Sequence, residues 1–198
     1  MITLGLVLAF LVVCTLLLTL HLPTIRLSRM NQIGQAISSA VESRSPFMDG
    51  MYAEISELSE QICLDMAIDK KDVETTKVAA LICDIGLCSV PSAILQKTEE
   101  WTPEEQSLFD RHAEIGASIV RQSPILRKYS NIVQHHHTKF EVEPRTPIAS
   151  RIIGVTADYV RFKRVYGSSR AMTAVERQSG VQYDPDVVNS LKELVSLQ

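Results

Sequence analysis

Residues 2–22 contain no Asp, Glu, Lys or Arg. At about 1.5 Å per residue, a helix of that length reaches about 30 Å, the thickness of a bilayer's hydrocarbon core. Pro23 is expected to stop it. A cleaved signal peptide would need a basic start, a shorter apolar stretch and a small-residue cleavage site. No Lys or Arg precedes the run, and His21-Leu22-Pro23 is a poor cleavage site. The expectation is a single membrane anchor over residues 1–23. Arg26 and Arg29 follow it, and the positive-inside rule then puts the C-terminal bulk in the cytoplasm and the N-terminus outside.

The anchor raises the chain's hydrophobic content of 45%, and the remainder has an ordinary soluble composition. Eight Gly and eight Pro in 198 residues exclude a collagen-like or low-complexity chain. A net charge of -3 gives no basic surface for nucleic acid, so no nucleic-acid partner is expected. The four Cys form no CxxC pair, and Cys14 falls inside the apolar run, which fits a reducing compartment for the rest.

Residues 24–50 read as a juxtamembrane connector. A helix is expected over 31–43, broken by Ser45-Pro46 and Asp49-Gly50. Its apolar stripe (Ile33, Ala36, Ile37, Ala40, Val41) suits packing on the domain or pairing with a second chain. Residues 51–198 read as one all-α domain. Met51, Ile55, Leu58, Ile62 and Met66 recur at helical spacing, with Glu54, Glu57 and Glu60 facing away. A second, mostly apolar helix is expected over 73–83. Thr102-Pro103-Glu104-Glu105 has the form of a capping box with Pro at the first helical position. One helix is expected from there to Pro124, carrying Leu108, His112, Ile115 and Ile119 on its inner stripe. Trp101 is expected to staple its entrance. Further helices are expected at 125–137, 148–163, 171–178 and 186–196, and no stretch alternates as a strand.

Four of the five His lie in the middle of this domain. His112 faces inward. His135, His136 and His137 are consecutive and follow the apolar Ile132-Val133. Asp84 ends an apolar helix. A partly buried acid beside inward imidazoles is what a transition-metal site requires. Each residue also has a structural reading. A lone inward His is commonly a satisfied core residue, and adjacent His on a helix splay by about 100° each, so three cannot reach one ion. Lys70-Lys71 and the group Arg161, Lys163, Arg164, Arg170 read either as solvated faces or as contacts for phosphate or anionic lipid. Tyr159 and Tyr183 read as core-edge residues with wet hydroxyls.

The residues Ala79 to Pro91 (Ala-Ala-Leu-Ile-Cys-Asp-Ile-Gly-Leu-Cys-Ser-Val-Pro), then Ile94-Leu95, Thr102-Pro-Glu-Glu105 and His112-Ala-Glu-Ile-Gly116, resemble an HD-GYP domain. So do Ile132-Val-Gln-His-His136, Arg151-Ile-Ile-Gly-Val155 and the closing Gly180-Val-Gln-Tyr-Asp-Pro185. The resemblance covers roughly 51–196. It implies an HD-superfamily helical bundle, a bacterial origin and a metal-dependent phosphodiesterase ancestry directed at cyclic di-GMP. With the anchor, it implies a bacterial cytoplasmic membrane location. Carried over residue by residue, it implies metal ligands at Asp84, His112, His135 and His136.

The departures are as specific as the matches. The family's HD dyad reads Cys83-Asp84, its upstream ligand His falls on Met51, and its late ligand Asp falls on Ala157. Asp158 is adjacent but one residue displaced. The Lys after Asp-Ile-Gly is Leu87, and the GYP loop is absent. The family's chemistry uses two or three metals to activate a bridging water and clamp phosphate oxygens. The ligands on one side are missing, so no residue is expected to be catalytic. One divalent transition metal (Fe, Mn or Zn) would remain, with Cys83 as an additional thiolate candidate. The expected function is a catalytically inactive, membrane-tethered signalling or scaffolding module that contacts protein, as a partner or a second copy, with a cyclic dinucleotide as a further ligand. The alternative is a phosphohydrolase with a reduced metal site.

Overall fold

Gly50, at φ +65°, starts the helix that carries much of the core, and a left-handed residue there costs Gly little. A computed structural model describes residues 2–97 and 100–196. It shows ten α-helices and no strand among them: α1 Ile2–Glu42, α2 Met51–Asp65, α3 Lys70–Ile82, α4 Ser92–Leu95, α5 Pro103–Asp110, α6 His112–Gln122, α7 Ser130–His135, α8 Ile148–Tyr166, α9 Ser168–Arg177 and α10 Pro185–Ser196. Short 3-10 turns occur at Pro46–Met48, Ile85–Ser89 and Arg127–Tyr129.

The apolar stripe of α2 buries Met51, Ile55, Leu58 and Ile62, while Glu54 and Glu60 reach basic partners at the surface. α3 and α8 close on it to form the centre, and α9 packs along α8. α6 and α7 pack on each other, and α6 also lies against the 3-10 turn that follows Asp84. The capping box at Thr102 is present, with Glu105 N–H on the Thr102 hydroxyl and Thr102 N–H on the Glu105 carboxylate. Trp101 stacks on Phe109 at 4.6 Å and donates its indole N–H to the Ile94 carbonyl.

Three expectations are corrected. α1 does not stop at Pro23 but continues to Glu42. Proline deletes one backbone hydrogen bond and kinks a helix, a loss that a long helix can absorb. Its last turns pack on the domain, one of the two readings of the stripe over 31–43. Ser38 and Val41 are buried, and Gly34 lies against Leu81 of α3. Second, the helix expected from 102 to 124 is broken at Arg111, and Leu108 is exposed. Third, the Tyr183 hydroxyl is not wet but donates to Asp158 at 3.0 Å. Much of the segment expected to span a membrane (side chains 2–6, 8, 9 and 18–22) lies outside the described residues. Among the described residues no helix is long and apolar enough to cross a membrane.

Two glycines set the spacing of the interior. A Cβ on Gly86 would lie 1.8 Å from the His112 carbonyl oxygen, and one on Gly154 would lie 2.3 Å from that of His136. Both contacts are with backbone, which cannot rotate away. Gly86→Ala and Gly154→Ala are therefore each expected to cost about 1–3 kcal/mol by overpacking. Denaturant unfolding of each variant against the unsubstituted chain checks this, and unchanged midpoints would refute the close packing.

Candidate metal centre

Asp84 follows the last turn of α3 and is 2% exposed. The turn it opens is held by Arg44, at the end of α1, which donates to the Leu87 and Val90 carbonyls at 2.8 and 2.5 Å. The two carboxylate oxygens of Asp84 face different groups. Oδ1 lies 3.2 Å from His112 Nε2 and 3.1 Å from His136 Nε2. Oδ2 accepts the Tyr52 hydroxyl at 3.0 Å and lies 3.8 Å from Arg161 Nη2. Tyr52 is itself set by the end of α1, since its backbone N–H donates to the Glu42 carboxylate.

The two imidazoles are oriented in the same way. His112 Nδ1 is 2.6 Å from the Phe109 carbonyl, and His136 Nδ1 is 2.6 Å from the Val133 carbonyl. A carbonyl only accepts, so each Nδ1 carries the hydrogen. Nε2 then faces the cluster, with a lone pair when the ring is neutral and as an N–H donor to Asp84 when it is protonated. The breaks lie beside these bonds: α5 ends before His112, and α7 ends at His135.

The end of α7 changes which histidines converge. On an unbroken helix His136 and His137 would point about 100° apart. Past the helix end both reach the interior. Asp84, His112, His136 and His137 each offer a ligand atom within 4.8 Å of the others. His137 was not assigned a role in the sequence. Its signal would have been the His136–Val133 bond, which no spacing rule reveals. His135 is corrected out of the set: it turns toward Thr138 and Glu143 at the surface. Cys83 is also corrected. Its Sγ–H bonds back to the Ala80 carbonyl, and burial pushes its thiol pKa well above the ordinary value, so it is a buried thiol outside the cluster. Met51, Leu87 and Ala157 are buried apolar residues.

The electrostatics call for a cation. Burial works to raise the Asp84 carboxyl pKa, but hydrogen bonds from His112 and His136 outweigh it and hold the carboxyl well below its usual range. Burial works to lower His112, and Asp84 outweighs it, leaving that imidazole raised. Burial pushes His137 well below its ordinary value. His112 and His136 Nε2 are 3.4 Å apart, and His137 Nε2 is buried with no hydrogen-bond partner. One proton satisfies one of these nitrogens, whereas a divalent ion would satisfy all of them. Three imidazole nitrogens and one carboxylate oxygen suit zinc, iron or manganese. The backbone carbonyls behind His112 and His136 supply the outer-shell bonds that orient metal-binding imidazoles. The residues therefore fit a metal ion.

The basic group on α8 is spoken for. Lys163 and Arg164 pair with Glu54, and Arg164 also donates to the Phe47 and Asp49 carbonyls. Arg161 Nη1 bonds Asp158 at 2.7 Å, which removes Asp158 from the cluster.

Comparison with known proteins decides the family. Residues 35–187 match the HD domain family. The chain belongs to it. Within that superfamily it is an HD-GYP-like domain. It is 30% identical over 153 residues to a cyclic di-GMP phosphodiesterase of Thermotoga maritima, covering 69% of this chain and 42% of the relative. It is 20% identical over 171 residues to a cyclic di-GMP phosphodiesterase response regulator of Xanthomonas campestris, covering 78% and 45%. The chain thus spans less than half the length of both. Among solved structures, an HDG"Y"P protein from Bdellovibrio bacteriovorus superposes with a TM-score of 0.68 at 16% identity, over 86% of this chain and 64% of that one. That likeness supports the HD fold.

Asp84→Asn and His136→Ala are expected to weaken metal binding by more than the roughly 10–100-fold that outer-shell changes cost. His135→Ala is expected to leave it unchanged. Metal content of the purified variants checks both, and loss of metal in His135→Ala would contradict the assignment.

Proposed function

We propose that this chain is a membrane-anchored, HD-GYP-like signalling module of bacteria that holds one divalent transition metal and does not hydrolyse cyclic dinucleotides. The observation that carries this reading is the division of the Asp84 carboxylate. Oδ1 faces His112 and His136, with His137 within 4.8 Å of the same group, while Oδ2 is engaged by Tyr52 and Arg161. The positions to which the family resemblance would assign the remaining ligands hold Met51, Cys83 and Ala157, all buried and turned to packing. Asp84, His112, His136 and His137 would hold the ion. A divalent ion can lower the pKa of a bound water and polarise a phosphate. Asp84, His112 and His136 are each at most 2% exposed, and His137 is the one member of the group that is partly exposed.

The alternative, a one-metal phosphohydrolase, draws support from the retained cluster and from the relatives, whose names record cyclic di-GMP phosphodiesterase activity. The two readings separate in one assay. The chain, purified without chelator, is expected to carry about one metal ion by elemental analysis, since three imidazoles and a carboxylate complete a single coordination sphere. Cyclic di-GMP is expected to remain intact after addition of Mn, Fe or Zn. Metal-dependent release of linear dinucleotide or GMP would establish the enzyme instead.

The anchor is part of the same proposal. Residues 2–22 lack ionised side chains, and Val7, Phe10, Leu11, Val12, Val13 and Leu16 of α1 are about half exposed or more, at 54–68%. Apolar side chains in a row facing outward call for lipid or protein cover. In bacterial fractions the chain is expected to resist alkaline extraction from membranes, and deletion of residues 2–22 is expected to release it. A full-length chain found in the soluble fraction would refute the anchor. The domain would then act on the cytoplasmic side through a protein partner, a second copy or a bound cyclic dinucleotide.

A further inference from the structure

We propose that Arg161 is the resident cation of the second side of Asp84, and that it keeps the pocket formed without metal so that a divalent ion enters and leaves reversibly. The inference rests on the metal site proposed above. Arg161 stands on α8 between two carboxylates, with Nη1 2.7 Å from Asp158 Oδ1 and Nη2 3.8 Å from Asp84 Oδ2. Each carboxylate is in turn held by a tyrosine. Tyr183 donates to Asp158 Oδ2 and Tyr52 donates to Asp84 Oδ2, both at 3.0 Å. The Arg161 side chain is about one quarter exposed, so it is not a freely solvated surface residue. Nothing in a solvated charged face requires this double clamp.

Charge counting gives the consequence. Two carboxylates and one guanidinium leave a single negative charge, which a divalent ion overcompensates. Without the guanidinium, the two charges of the ion match the two carboxylates. Buried charges left unpaired are costly. Arg161 therefore stabilises the metal-free pocket and lowers its affinity for the ion. A site built only from ligands would instead depend on metal to hold its acids together. In this chain the metal acts as an exchangeable ligand on a pocket already in place.

The test is a titration of the full chain, stripped of metal by chelator, with Mn(II) or Zn(II), read by calorimetry and by thermal unfolding. The unsubstituted chain is expected to stay folded when stripped. Arg161→Gln is expected to bind the ion at least about tenfold more tightly, a shift of about 1.4 kcal/mol, and to melt lower without metal and gain more on adding it. Asp158→Asn leaves the guanidinium less compensated and is expected to bind more weakly. It also decides the matter if Arg161→Gln does not fold. Equal or weaker binding by Arg161→Gln, or unchanged binding by Asp158→Asn, overturns the role of Arg161 while leaving the metal site standing. If the unsubstituted chain takes up no ion, the metal site fails and this inference fails with it.

Discussion

A carboxylate taken out of water must be met by cations or hydrogen-bond donors, and the interior of this domain is arranged around that requirement at Asp84. Donors and charges reach it from four directions. α2 brings Tyr52, α6 brings His112, the turn after α7 brings His136 and His137, and α8 brings Arg161. The end of α1 steadies the arrangement from behind through Arg44 and Glu42. The close approaches at Gly86 and Gly154 serve the same end, because they let Asp84's turn and α8 lie directly on the backbones of His112 and His136. Packing and electrostatics are thus one constraint here. Moving any of these helices away would widen the pocket and leave the acid unpaired.

Much of the fold was legible because it follows local rules. The stripe on α2, the capping box at Thr102 and the Asp184-Pro185 start of α10 depend on residues a few positions apart. The resemblance then placed Asp84, His112 and His136 near one another. What could not be read was the pair of imidazole bonds to Phe109 and Val133. The apolar periodicity continues across the break at Arg111, so the sequence suggested one helix where there are two. The end of α7 likewise brings His137 into the pocket and leaves His135 out of it. Arg161 was misread for a related reason. In sequence it belongs to a basic group, and only tertiary packing separates it from Lys163 and Arg164.

The comparison of the two sides of Asp84 links the fold to the functional reading. On one side the imidazoles have kept a cage in which an unpartnered nitrogen, two facing nitrogens and a carboxylate oxygen all point inward. On the other side protein groups already satisfy the carboxylate. A cage beside a built-in cation suits binding and release.

The proposed site holds one ion among three imidazoles and Asp84, with no second metal beside it. Metal-edge X-ray absorption of the metal-loaded chain tests this most directly. The account requires a first shell of nitrogen and oxygen only, dominated by imidazole scattering and without a metal–metal vector. A sulfur ligand from Cys83, or a second metal across Asp84, would contradict it.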